Sequence, residues 1–83
     1  MPFPFQPMPQ VSDLKLKLVA YAVTWVNQPD PAGLLDQGYF ERVVNGRKIG
    51  CPVSVRKGQP LNPRMVRLIY RRLDIADDPF PLN

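Results

Sequence analysis

Apolar and polar side chains alternate along the chain in four patterned segments, separated by stretches rich in Pro, Gly, Asn and Asp. In the first, Leu14-Lys15-Leu16-Lys17-Leu18 alternates strictly, and Val19-Ala20-Tyr21-Ala22-Val23-Thr24-Trp25-Val26 follows with β-branched and aromatic residues. A period of two predicts one long strand over residues 14–26, half exposed at its start and buried on both faces later. A helix capped at Ser12 is the competing reading, because leucine and alanine tolerate helices well. That helix would set Lys15 and Lys17 about 200° apart around its axis, which spoils a single polar face, so the strand is preferred.

Asn27-Gln28-Pro29-Asp30-Pro31-Ala32-Gly33 is turn chemistry throughout and predicts a connecting loop. Next come two apolar-patterned runs, 39–44 and 47–55, on either side of Asn45-Gly46. Asn-Gly suits the two positive-φ positions of a type I′ turn, so the runs are expected to form an antiparallel hairpin. A two-residue turn pairs Val44 with Arg47, Arg42 with Ile49 and Phe40 with Cys51 on one face. That face continues through Val53 and Val55 and is the expected core side, with Arg42 and Arg47 emerging near the tip. Pro52 cannot donate to a ladder, so its strand should lie at an edge or carry a bulge beside Gly50.

The fourth segment, 63–75, follows Asn62-Pro63. Asparagine is a good N-cap, and proline at the first helical position loses nothing by lacking an N–H, which predicts a helix. At about 100° per residue, Met65, Val66, Ile69, Tyr70 and Leu73 form one apolar stripe suited to packing on the sheet. Arg64, Arg67, Arg71 and Arg72 occupy the rest, and Leu68 and Ile75 fall among them. An apolar centre with a cationic rim implies a second contact surface. The expected architecture is therefore α+β: a small antiparallel sheet (strand 14–26, hairpin 39–44/47–55) packed by one C-terminal helix.

Composition bounds what such a fold can do. The chain has 83 residues, and a domain of 11–75 lies between tails of 1–10 and 76–83. A body of about 65 residues buries only about 60 % of its unfolded surface, so self-association or a protein partner is expected to support it. Net charge is +4, with no acid among the nine basic residues from Arg42 to Arg72. Such a half can face nucleic acid, an acidic protein surface or plain solvent. The N-terminus lacks a basic n-region and an unbroken apolar run, and no stretch approaches the roughly 20 apolar residues that span a bilayer. The expected setting is cytoplasmic or within an assembled particle, with no membrane and no small-molecule substrate.

The sequence offers little for catalysis. It contains no histidine, and its one cysteine, Cys51, falls on the expected core face, which suits a buried structural thiol better than a nucleophile. Asp77-Asp78 is a carboxylate pair beside proline without companion ligands, and the glycines lack phosphate-loop spacing. Neither an enzyme nor a cofactor or metal is expected.

Residues 39–75 combine two strands, the run Val53-Ser54-Val55-Arg56-Lys57-Gly58-Gln59-Pro60-Leu61-Asn62-Pro63 and a helix with Arg67-x-Ile69-Tyr70-Arg71-Arg72-Leu73-Asp74-Ile75. This resembles the C-terminal part of HicA-type toxins, small proteins similar to double-stranded-RNA-binding domains. The resemblance implies a hairpin and helix with a basic face on which Arg56, Lys57 and Arg64 meet phosphates. The family's functional histidine has no counterpart, so ribonuclease activity does not carry over.

The tails complete the picture. Met1-Pro2-Phe3-Pro4-Phe5-Gln6-Pro7-Met8-Pro9-Gln10 has no charged side chain, and Pro2-Phe3-Pro4 is echoed at Pro79-Phe80-Pro81. Proline lowers the entropy lost when an extended segment docks, while Phe3, Phe5, Met8, Phe80 and Leu82 supply apolar area. The sequence therefore points first to a non-catalytic structural or assembly protein, such as a small virion or accessory subunit gripping neighbours with its tails. Two alternatives stay open. One is a nucleic-acid-binding module or regulator, the basic face that would meet a protein partner or nucleic acid being Arg42, Arg47, Arg56, Lys57, Arg64, Arg67, Leu68, Arg71 and Arg72. The other is a small inhibitor docking on an acidic host-protein surface.

Overall fold

Asn45 and Gly46 adopt φ 51° and 77°, the pair of left-handed conformations that a two-residue hairpin turn requires. Around this turn, in a computed structural model that describes residues 9–79, β2 (Leu35–Val44) pairs antiparallel with β3 (Arg47–Arg56). The register is the expected one: Val44 opposite Arg47, Arg42 opposite Ile49 and Phe40 opposite Cys51. Phe40, Cys51, Val53 and Val55 on this face are all buried. The strands run longer than 39–44 and 47–55 because the pairing continues unbroken to Leu35 and Arg56. The opposite face carries Tyr39, Val43 and Pro52, with Glu41 and Lys48 paired at 3.5 Å.

Pro52 sits on an edge strand, since β3 pairs with β2 alone, and the register has no bulge. In a two-residue hairpin the flanking pair is hydrogen-bonded and alternate pairs are not, so the Tyr39–Pro52 pair is a non-bonded one. The missing N–H of Pro52 would have pointed to the open edge. It costs the ladder nothing and removes a donor from a surface that could template unwanted pairing.

β1 (Thr24–Asn27) flanks β2 on the other side, with Trp25 opposite Phe40. Their rings meet edge-on at 4.8 Å, which makes Trp25 part of the lid on the core. The close approach of β1 depends on Gly38. A Cβ there would collide with the carbonyl oxygen of Val26 and lie 2.9 Å from Trp25 Cζ2.

The expected strand over 14–26 is confined to Thr24–Asn27, and residues 11–18 form α1 instead. Burial explains the outcome. Val11, Leu14 and Leu18 are three and four residues apart, and all three are buried on one helical face. A strand would have buried Leu16 together with Leu14 and Leu18, whereas here Leu16 is 79 % exposed. The start is fixed by Gln10, not Ser12: the Gln10 N–H donates to Asp13 Oδ2 at 2.8 Å. Lys15 reaches over the Trp25 ring at 5.2 Å, so a lysine that seemed to spoil the polar face lies along apolar surface. A short 3₁₀ turn, Val19–Tyr21, and a left-handed Ala22 then redirect the chain into β1.

The second helix, α2 (Pro63–Arg72), starts as expected, with Asn62 Oδ1 accepting from the Met65 N–H at 2.8 Å. It stops three residues before the expected Ile75. Asp74 turns left-handed at φ 57°, while the Asp74 and Ile75 N–H groups donate back to the carbonyls of Arg71 and Tyr70 at 3.1 and 2.9 Å. This C-cap geometry folds Ile75 onto the core at 7 % exposure. Ile75 therefore leaves the proposed contact surface. Val66, Ile69, Tyr70 and Leu73 are buried as the stripe requires, and Met65 packs beside them. Both helices contribute to one core on the same side of the sheet, joined by Leu61 from the β3–α2 loop.

Gly38→Ala is expected to cost about 2–3 kcal/mol, read from urea denaturation, because the collision is with backbone. Hydrogen exchange should quicken in β1 before it does in the β2–β3 hairpin.

Candidate functional site

The sequence assigned nine residues to one interaction face, and the fold distributes them over four places. Arg42 is turned inward. Its Nε donates to the Tyr21 carbonyl at 3.0 Å, and its Nη1 donates to the carbonyls of Leu73 and Asp74 at 2.8 and 3.0 Å. A cation at the C-terminus of α2 satisfies carbonyls that the helix leaves open and opposes the negative end of its dipole. Arg42 thus ties β2 to the 3₁₀ turn and to the end of α2 through its Nε and Nη1 donors. Arg47 is exposed at the hairpin tip, at the opposite end of β3 from Arg56.

Arg56 and Lys57 line a separate groove of about 600 Å³ together with Asp30, Ala32, Gly33, Leu34 and Leu35. The loop opposite them is held by Asp30, whose carboxylate accepts from the N–H groups of Ala32, Leu34 and Leu35 at 3.2, 2.9 and 3.0 Å. The hydrogen bond from Leu34 is foremost in holding the Asp30 carboxyl below its ordinary range, and nearby Lys57 lowers it further. An acid at this position offsets part of the positive field that would draw a phosphate.

The remaining candidates stay together. Arg64, Arg67, Leu68 and Arg71 are spaced i, i+3, i+4 and i+7 on α2, which places them within an arc of about 100°. All four are exposed, Leu68 at 43 %, and Arg72 borders them. With Asn62 and Pro63 they line a groove of about 830 Å³. Arg67 and Arg71 also form the near wall of a smaller recess of about 400 Å³ that runs under Ile75, Ala76 and Pro79. Arg67 approaches Asp78 at 4.0 Å, with both side chains largely exposed. The site is thus a helical ridge with a leucine at its centre and guanidinium groups around it.

Asp77 and Asp78 diverge: Asp77 accepts the Tyr21 hydroxyl at 2.7 Å, and Asp78 faces Arg67. No group of three or more His, Cys, Asp or Glu side chains converges among the described residues. Cys51 is buried at 3 % exposure, and burial pushes its thiol up, with Arg72 drawing it partly back. Among the described residues no helix is long and apolar enough to cross a membrane. The tail positions Phe3, Phe5, Met8, Phe80 and Leu82 lie outside the described residues. Comparisons with protein-family models, with curated proteins and with solved structures find no match.

Arg42→Met keeps the aliphatic stem and removes three donor contacts. It is expected to cost about 2–3 kcal/mol by urea denaturation, with faster amide exchange at the end of α2. The alkaline limb of stability is a second check. The hydrogen bond to Asp77 raises the Tyr21 hydroxyl, and burial raises Tyr70 and Cys51. A folded pKa above the unfolded one contributes stability that is complete below the unfolded value and lost as pH rises past it. The urea midpoint should therefore hold to about pH 8.5 and then decline, first through Cys51 and from about pH 10 through the tyrosines. Tyr21→Phe should flatten the upper part of that decline.

Proposed function

We propose that this protein is a non-catalytic interaction or assembly subunit that docks an acidic protein partner on the exposed face of α2. The observation that carries the reading is the Arg64–Arg67–Leu68–Arg71 stripe, an apolar centre with a cationic rim on one regular helix. Leucine supplies the area that a partner desolvates, while the arginines steer an acidic surface and fix its register. A symmetric pairing of two such faces would bring like charges together, so the stripe favours a different, acidic surface over its own copy. The buried, raised Cys51 thiol supports the non-catalytic part of the reading.

Nucleic acid is the second reading, favoured by the absence of acids from 42 to 72. The inward course of Arg42 and the acid beside Lys57 weaken it, because they break the basic half into separate patches. A leucine at the centre of the best patch also offers nothing to a phosphate.

Fluorescence anisotropy with an acidic, leucine-bearing helical peptide and with a duplex RNA of ~16 bp distinguishes the two. The peptide is expected to bind, and Arg64→Glu/Arg71→Glu to weaken it at least about tenfold, a loss of about 1.4 kcal/mol, while Arg47→Glu leaves it unchanged. Absence of peptide binding, or a tighter RNA complex whose affinity falls linearly on a log–log salt plot, would overturn the proposal.

A further inference from the structure

β3 forms one border of the sheet, and hydrogen-bonding groups line its outer side. Pairs alternate along the hairpin from the bonded Val44–Arg47 pair, so Lys48, Gly50 and Ser54 direct their N–H groups away from β2. The carbonyls of these residues and of Pro52 point the same way. Among the described residues no backbone group pairs with them. The border is closed only at its far end, where Gln59 Oε1 accepts the Arg56 N–H at 3.3 Å and the Gln59 N–H donates to the Arg56 carbonyl at 3.0 Å. Residues 48–54 are left as an open edge of about 20 Å.

One flank of α2 lies beside this edge. α2 packs on β3 and α1 on β1, and Tyr70 leans to the α1 side, its ring centre 6.0 Å from that of Tyr21. At about 100° per residue, Met65 and Arg72 lie on the opposite flank, toward the border. Arg72 is near enough to Cys51 to draw back part of the rise of its thiol. Met65 and Ile49 are both half-buried.

We propose that the open edge of β3 is a strand-addition site for an extended segment of a partner protein, with alternating apolar side chains and acids at its ends. Backbone bonds to Lys48, Gly50, Pro52 and Ser54 hold the segment on the sheet. One row of its side chains meets Ile49, Met65 and the aliphatic stem of Arg72. β3 carries Arg47 and Lys48 at one end, Arg56 at the other and no acid between them, so acids at both ends of the segment are matched. Glu41 on β2 already engages Lys48 at 3.5 Å. A second copy fits worse. The antiparallel pairing of two such edges with the longest overlap is centred on Pro52. It sets Lys48 against Arg56 at both ends and two prolines without donors at its middle. The edge is separate from the outer face of α2 and does not depend on the docking proposed there.

Amide hydrogen exchange in the full-length chain tests the proposal, with the end-capped peptide Glu-Val-Thr-Val-Thr-Val-Glu as probe. Without peptide, Lys48, Gly50 and Ser54 should exchange quickly, while Ile49, Cys51 and Val53, bonded to β2, are protected. At about 1 mM peptide the three edge amides are expected to slow at least about threefold. Ser54→Pro, which repeats on this edge what Pro52 does, should weaken the peptide about three- to tenfold at an unchanged urea midpoint. Should that variant unfold, the exchange of the unsubstituted chain still decides. No slowing at the edge amides, or peptide-induced change confined to the outer face of α2, would overturn strand addition. Edge amides protected without peptide and released on dilution would overturn it in favour of a second copy. Failure of the helical acidic peptide to bind would leave the edge protection in place, so the two proposals fail separately.

Discussion

The packing of α2 against one face of the β2–β3 hairpin is the constraint on which the rest of this structure depends. Val66, Ile69, Tyr70 and Leu73 cover Phe40, Cys51, Val53 and Val55, and these side chains make up most of the core. Complete burial of each large apolar side chain contributes about 1.5–3 kcal/mol, and the body is too small to lose more than one or two. The other elements hold this contact in register. Asn62 sets the start of α2, Arg42 grips its end, and Ile75 folds back beneath it. The helix is consequently fixed in rotation, and its outer face is presented in a single orientation.

That rigidity separates structure from interaction along one helix. Residues at the inner positions are buried by the sheet, while Arg64, Arg67, Leu68 and Arg71 are exposed. A docking surface on a regular, packed element is held more exactly than one on a loop, because its side chains share one backbone frame. The proposed function follows from this arrangement. It assigns an occupant to a surface that the described body holds in place.

The hairpin and the start of α2 were legible in the sequence because their signals are local. Asn45-Gly46 specifies the turn and thereby the register, and Asn62-Pro63 specifies a helix start. The α+β class followed from these. Residues 11–18 were misread because Leu14-Lys15-Leu16-Lys17-Leu18 fits both periods: the strand pattern uses all three leucines, and the helix uses Leu14 and Leu18 with Val11. Only the tertiary environment decides between them, by burying Val11 and leaving Leu16 out. Ile75 was misplaced because nothing short of the left-handed Asp74 reveals that the helix ends at Arg72. Arg42 looked like a surface cation because its acceptors lie 21, 31 and 32 residues away, beyond any local pattern. Helical periodicity grouped Arg64, Arg67, Leu68, Arg71 and Arg72 on one outer face, together with Ile75, which the C-cap folds onto the core.

The division of α2 into a buried and an exposed face is most directly tested at Leu68. The urea midpoint of Leu68→Gln, measured together with its affinity for the acidic peptide, reads both faces at once. An unchanged midpoint with weakened binding is the predicted result. A midpoint that falls as it would for a core position, with binding intact, would contradict the account.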